Sequence, residues 1–245
     1  MYDYLLGGKD NFAVDRAAAE EGLKANPDVA TAPLQNRAFL RRSVQWLAAG
    51  VRQFLDIGTG LPTSPNVHEV AQAIDPSARI VYVDNDPIVL THARALLTST
   101  PGGHTAYVDA NLSDVDRVLA GARDNLDLGQ PVALLLFAIL HFFDDDADPY
   151  DLVARLMAPL PSGSYLVISH MTADHDPVRW GQFVEIMRKQ GIPSRLRSHD
   201  EVARFFDGLD PVDPGIVPIL RWRPTEETGL TDAQVALYGG VARKP

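Results

Sequence analysis

The sequence contains no cysteine, which excludes disulfides, thiolate zinc sites and a cysteine nucleophile, and suits a reducing compartment. No run reaches the roughly 18 apolar residues of a membrane span. The opening Met1-Tyr2-Asp3-Tyr4 lacks the basic and then apolar order of a secretory signal. A cytoplasmic protein that does not engage a membrane is therefore expected. Lysine is scarce, with Lys9, Lys24, Lys189 and Lys244 set against eighteen arginines; with many Ala, Pro and Asp, this points to a GC-rich bacterial genome. Positive charge is in deficit as a whole: 22 Lys and Arg against 32 Asp and Glu leave a net charge of −10. Phosphate contacts need clustered Lys and Arg, so nucleic acid is not an expected partner. Internal repeats, low-complexity tracts and obvious linkers are missing too. What remains is ordinary globular composition, 46% apolar and 22% charged over 245 residues, enough for one α/β domain with a small helical addition.

Residues 1–50 read as helices, over Asn11–Ala25 and Pro33–Ala49. In the second, Phe39, Leu40, Val44 and Leu47 recur at helical spacing. From 51 to 245 the pattern changes to short apolar runs alternating with amphipathic helices. Strands are expected at Gln53–Ile57, Arg79–Val83, His104–Val108, Val132–Leu140 and Ser164–Ser169. Helices are expected at Ser64–Ile74, Pro87–Thr98, Leu112–Ala122, Pro149–Leu156, Pro177–Gln190 and His199–Phe206. That alternation gives a parallel sheet covered on both faces. Two last strands, Ile216–Trp222 and Val235–Ala242, are joined too closely for a crossover helix and should pair antiparallel. The expected fold is a doubly wound α/β domain: a mostly parallel, seven-stranded, Rossmann-like sheet with an N-terminal helical lid (1–50) and a closing antiparallel hairpin.

Chemistry concentrates at the strand ends. The first strand runs into Asp56-Ile57-Gly58-Thr59-Gly60, where glycines permit positive φ and close approach of a ligand to the backbone. Ser64 and Pro65 suit the start of the following helix. Open parallel sheets bind ligands beyond these carboxyl ends, although a glycine turn without a ligand is the simpler alternative. The second strand ends Val83-Asp84-Asn85-Asp86-Pro87, twenty-four positions beyond Gly60. Asp84 is placed to accept bonds from both hydroxyls of a ribose, as in dinucleotide folds, while Asp86 looks like the cap of the helix at Pro87. At the end of the third strand Asp109 could meet an adenine amino group beside Ala110; a capping role for Asp109 or Asn111 is equally open.

With LDIGTG, VYVDNDP, AYVDANL and FAILHFF at successive strand ends, residues 51–245 resemble the class I S-adenosylmethionine-dependent methyltransferase superfamily. More narrowly, YDYLLGGKDNFAVDR, NRAFLRR and FLDIGTGLPTSPNVHEVAQ resemble an actinobacterial family of S-adenosyl methyltransferases, formerly a domain of unknown function. The resemblance implies S-adenosylmethionine as cofactor. Asp56, Gly58, Thr59 and Gly60 would line its methionine end, Asp84 with Asn85 its ribose, Asp109 and Ala110 its adenine, and Phe137 and Ala138 its sulfonium. Pro62 stands where many superfamily members place a third glycine, so the loop beyond Gly60 must be stiffer.

Methyl transfer to an activated carbon mainly requires alignment, sometimes with removal of a proton. His141, beyond the fourth strand, is the expected general base, since an unperturbed imidazole titrates near ~6.5; packing between Leu140 and Phe142 is its alternative. His170 is the second candidate. Asp144-Asp145-Asp146-Ala147-Asp148 could hold a cation or simply cap the helix at Pro149. No metal is expected, although His170 and Asp174-His175-Asp176 offer ligand types. The segment Tyr4–Asn11, with Gly7-Gly8 as a hinge, should fold over the pocket, making Tyr4, Asn11 and Arg16 candidate contacts; fraying is the alternative. Two other functions compete with this reading. A nicotinamide oxidoreductase would need G-x-G-x-x-G, and Thr63 occupies the third glycine's place. A non-catalytic module binding S-adenosylmethionine or S-adenosylhomocysteine is compatible with the same cofactor residues. The acceptor is expected to be a small molecule, with a protein as the alternative; nothing in the residues names it or fixes the oligomeric state.

Overall fold

The computed structural model describes residues 1–96 and 99–245. In chain order the elements are α1 (Tyr2–Leu5), α2 (Ala13–Ala25), α3 (Thr31–Ala48), β1 (Gln53–Ile57), α4 (Val67–Gln72), β2 (Arg79–Asp84), α5 (Pro87–Leu96), β3 (His104–Asp109) and α6 (Val115–Asn125). There follow β4 (Ala133–Phe137), α7 (Pro149–Met157), β5 (Tyr165–Met171), α8 (Pro177–Lys189), α9 (His199–Ala203), β6 (Asp210–Pro211), β7 (Val217–Pro218), α10 (Asp232–Val235) and β8 (Leu237–Arg243). The strands lie in the order β3-β2-β1-β4-β5-β8-β6, with β7 also on β8. The first five run parallel, and β8 is antiparallel to β5. The doubly wound, mostly parallel plan stands, and the sheet stays open.

Alternation along each strand divides the core. Phe54, Ile80, Tyr82, Leu135, Phe137 and Val167 face α3, α4 and α8. Leu55, Val81, Val83, Leu134, Leu136 and Ile168 face α6 and α7. β4 is buried along its whole length, as its unbroken apolar run requires. The apolar stripe of α3 (Phe39, Leu40, Val44, Leu47) packs into the first of these clusters, so this helix covers the sheet, and Met1 and Leu5 pack against the edge of the same cluster.

Several boundaries differ from expectation for local reasons. The expected strand Ile216–Trp222 survives only as Val217–Pro218, and Asp210–Pro211 adds a second short ladder on β8; Pro211 and Pro218 have no N–H to extend either ladder. The last strand begins at Leu237, because Asp232–Val235 is helical and ends on Ala236 in the left-handed region (φ 47). The fourth strand stops at Phe137, because Ala138 turns to φ 52. The helix expected from Ser64 starts at Val67 after Asn66, whose N–H donates to Glu69 Oε2 at 2.6 Å. The helix expected from Leu112 starts at Val115, capped by Asp114. Leu97 and Thr98, the end of the helix expected over Pro87–Thr98, lie outside the described residues.

Candidate functional site

The carboxyl ends of β1, β2 and β4, together with the N-terminal segment, enclose a cavity of about 630 Å3. Small-molecule sites commonly have this size. Beyond β1 the chain turns through Gly58 (φ 76) and Gly60 (φ 64). A Cβ on Gly58 would stand 2.7 Å from the Ile139 side chain, whereas one on Gly60 would meet no protein atom within 4 Å. Gly58 thus permits packing, and Gly60 leaves backbone open to the cavity.

Asp84 organises this turn. Its Oδ2 accepts from Gly60 N at 2.9 Å, and its Oδ1 accepts from Asp86 N at 2.9 Å. Each carboxylate oxygen retains further acceptor capacity. Asp86 does cap α5, accepting from Ile88 N at 2.8 Å. The stiff stretch after Gly60 is held from α3: the Arg37 guanidinium donates to the carbonyls of both Thr63 and Pro65. Thr63 N donates to Asn66 Oδ1 at 3.0 Å. Pro62 is thereby accommodated without a third glycine.

Asp56, on the cavity wall and 5% exposed, has its pKa pushed up to about 7. Burial is the main cause; Arg37 works in the opposite direction and Asp84 adds to the rise. The other expected residues Thr59, Asn85, Ala110, Phe137 and Ala138 also line the cavity. Asp109 does not: it is exposed, 3.9 Å from Arg117. Neither it nor Asn111 caps α6; Asn111 Oδ1 instead accepts from Ser113.

The N-terminal segment closes one side. Asn11 Nδ2 donates to Asp3 Oδ2 at 2.7 Å and to Gly8 O at 2.9 Å. A Cβ on Gly8 would meet the Asp3 carboxylate, which Asn11 holds in place, so a side chain at this position would have to displace it. Asp3, Asp10, Asn11 and Phe12 reach the cavity wall. Tyr4 instead donates to Glu20, and Arg16 to Asn11; of the three candidate contacts only Asn11 lines the cavity.

Two residues of the cavity wall lie outside the sequence expectation, Asn36 and Arg37. Buried Asn36 donates to the Tyr2 hydroxyl at 3.0 Å and accepts from Ser169 Oγ at 2.6 Å. Ser169 Oγ in turn accepts from Ala138 N at 2.9 Å. A polar chain therefore runs from the N-terminal segment through α3 and β5 to the backbone at the end of β4. A polar side chain on the apolar stripe of α3 was the available signal.

His141 lies in a single 3-10 turn after β4 and is 5% exposed. It borders a smaller neighbouring cavity, not the large one. Burial, and secondarily Arg197, lower its pKa to about 3. His170 has both ring nitrogens engaged: Nδ1 donates to Met171 O at 2.7 Å, and Nε2 accepts from buried Arg197 at 2.9 Å. Arg197 also donates to Leu140 O, Phe143 O and Asp145 Oδ1. The acidic run is accordingly tied to arginines, with Asp144 near Arg188 and Asp145 near Arg195 and Arg197, while Asp148 caps α7. Asp174 accepts from His199 N and the Tyr238 hydroxyl, and Asp176 caps α8. Among the described residues no group of three or more His, Cys, Asp or Glu is arranged to hold a metal, and no helix is long and apolar enough to cross a membrane.

The large cavity is acidic. Asp3, Asp10, Asp15, Asp56, Asp84 and Asp86 line it, against Arg37 as the one basic side chain on the described wall. A ligand carrying a sulfonium and an ammonium against one carboxylate fits that balance, as it fits the open Gly60 backbone and the acceptor capacity of Asp84.

Comparison with known proteins agrees. The family model for S-adenosyl methyltransferases matches residues 1–245. A DUF574 family protein from Streptomyces avermitilis MA-4680 is 48% identical with a TM-score of 0.97, covering 100% of this chain and 95% of that one. A protein from Thermobifida fusca YX is 38% identical with a TM-score of 0.91, covering 99% and 92%. The N-methyltransferase NodS from Bradyrhizobium japonicum WM9, in complex with S-adenosyl-L-homocysteine, shares the fold at 14% identity, with a TM-score of 0.52 and coverage of 95% and 97%. No curated protein matches the chain. Nothing in these likenesses favours a purely regulatory cofactor-binding module.

Proposed function

The chain belongs to the S-adenosyl methyltransferase family, and on that premise we propose that the 630 Å3 cavity seats S-adenosylmethionine for methyl transfer to a small molecule. S-adenosylmethionine is the cofactor of this methyltransferase, and when bound it supplies a methyl group already activated by a positive sulfur. The observation that carries the placement is the junction of Gly60 and Asp84, where open backbone and an oriented carboxylate meet beyond the ends of β1 and β2. In this reading Asp84, beside Asn85, accepts the ribose hydroxyls. Asp56, Gly58, Thr59 and Gly60 take the methionine end. Ala110, with Asn111 and Leu112, borders the adenine; Asp109 would have to turn inward from its exposed position to reach the amino group. Phe137 and Ala138 lie beside the sulfonium.

The chain's own residues then have three tasks: to hold the donor, to exclude water with residues 1–12, and to present the acceptor in line with the methyl group. His141 is the side chain we assign to the acceptor. With a pKa near 3 it serves as a neutral hydrogen-bond acceptor; storing a proton at neutral pH would be costly there.

Calorimetric titration with S-adenosylhomocysteine tests the placement. Micromolar binding by the wild type should weaken about tenfold or more, about 1.4 kcal/mol, in Asp84→Ala. Equal affinities for the two proteins would move the site elsewhere.

A further inference from the structure

The smaller cavity, about 260 Å3, opens behind Ala138 and shares Tyr2, Asn36, Ala138 and Phe142 with the wall of the larger one. Its interior is apolar: Met171 at the end of β5, Trp180, Phe183 and Met187 of α8, then Ile192 and Leu237. Among the described residues no lysine, arginine or glutamate lines it; its one carboxylate, Asp15, and the Met1 ammonium that pairs with it at 3.1 Å both stand on wall common to the two cavities.

Its buried polar groups differ in kind. Asn36 is committed to Tyr2 and Ser169. His141 Nδ1, in contrast, is buried with no hydrogen-bond partner among the described residues. Such an atom is costly to leave unpaired, and a ligand group that bonds the imidazole would recover part of that cost.

We propose that this chamber is the acceptor site, and that it takes an uncharged, flat, mainly apolar molecule whose hydroxyl bonds to His141; methyl transfer to that oxygen breaks the donor's methyl–sulfur bond, forms the O–CH3 bond and passes the hydroxyl proton through the imidazole to solvent. The inference rests on the larger cavity being the cofactor site, because the shared wall at Ala138 is what sets an occupant of the chamber beside the methyl donor. A charged acceptor would shed its hydration among Trp180, Phe183 and Met187 without a counter-ion in the interior. The volume, about 260 Å3, lies just below the usual range of drug-sized pockets, roughly 300–1,000 Å3, which suits one or two fused rings. Aromatic and thioether side chains offer such rings both faces and adjustable contacts.

Calorimetry on the full chain, with and without S-adenosylhomocysteine, tests this using 2-naphthol as the probe. We expect 2-naphthol to bind one to one, and 2-naphthoate and 2-naphthylmethylamine to bind about tenfold more weakly or worse. 2-Methoxynaphthalene, which has no hydroxyl to donate, should also bind more weakly, and His141→Phe should erase that difference. Ile192→Trp, which fills the chamber, should lose 2-naphthol while keeping S-adenosylhomocysteine. Should that variant fail to fold, quenching of tryptophan fluorescence by 2-naphthol gives an independent reading, expected in the wild type and absent in Trp180→Phe. Equal binding of 2-naphthoate, undiminished 2-naphthol binding by folded Ile192→Trp, or no 2-naphthol binding by protein that binds S-adenosylhomocysteine would overturn the proposal. Binding of 2-naphthol by protein that fails to take S-adenosylhomocysteine would instead bring down the cofactor placement and leave the chamber's ligand class standing.

Discussion

Two carboxylates with opposite environments carry the residue-scale account. Asp84 is half-buried and braced by two backbone amides, so its charge is held ready for hydroxyl donors. Asp56 is desolvated, and its carboxyl titrates near 7 against an ordinary value of 3.8. Between those two pH values the folded chain keeps a proton that the unfolded chain has lost. Stability of the ligand-free protein should therefore fall as pH rises across this window and level off above about 7. If the cofactor's ammonium lies against Asp56, S-adenosylhomocysteine should bind more tightly as pH rises through 7. Thermal unfolding and calorimetry between pH 5 and 8 check both trends, and Asp56→Asn should flatten them; trends unchanged in that variant would assign them to other groups. Both acids were legible in the sequence because each ends an apolar strand. Their contrast was not, since it depends on burial and on Arg37, nineteen positions before Asp56. Asp109 shows the limit of the same reasoning: the strand-end position is right, yet the side chain faces solvent beside Arg117.

At the scale of elements, the site depends on α3 and the segment before α2. Asn36 joins Tyr2 to Ser169 and so to Ala138 N. Asn36→Leu should cost about 1–3 kcal/mol in urea unfolding, since it strands the buried Ser169 hydroxyl, whereas the Tyr2 hydroxyl keeps the Pro33 carbonyl. An unchanged midpoint would mean that the polar chain contributes nothing to stability. Gly8→Ala acts differently, because a Cβ there collides with the Asp3 carboxylate. It should weaken S-adenosylhomocysteine binding several-fold while leaving the unfolding midpoint nearly unchanged, for the segment is peripheral to both apolar clusters. Existence of the five parallel strands could be read from apolar runs and spacing, but not their order in the sheet. Element ends could not, as they turn on local capping: Asn66 and Glu69 in place of Ser64, Asp114 in place of Asn111, and the left-handed turn at Ala138. The closing hairpin was legible as antiparallel pairing; its division into two short ladders follows from Pro211 and Pro218, which have no N–H to extend either one.

For the whole molecule, the net charge is −10, and the wall of the large cavity shares the acidic excess, with six aspartates against Arg37 and the Met1 ammonium. That field favours the sulfonium form of the cofactor over its uncharged thioether product and helps exchange one for the other. Raising the salt concentration should thus weaken S-adenosylmethionine more than S-adenosylhomocysteine; equal losses for both ligands in a salt series would show that the acidic wall does not discriminate. The central claim, that this cavity seats the cofactor, is met most directly by a crystal structure of the protein with S-adenosylhomocysteine. The account predicts the ligand in the large cavity, its ribose hydroxyls within hydrogen-bond distance of Asp84 and its sulfur beside Phe137 and Ala138. Ligand bound elsewhere, or in this cavity with the ribose away from Asp84, would contradict it.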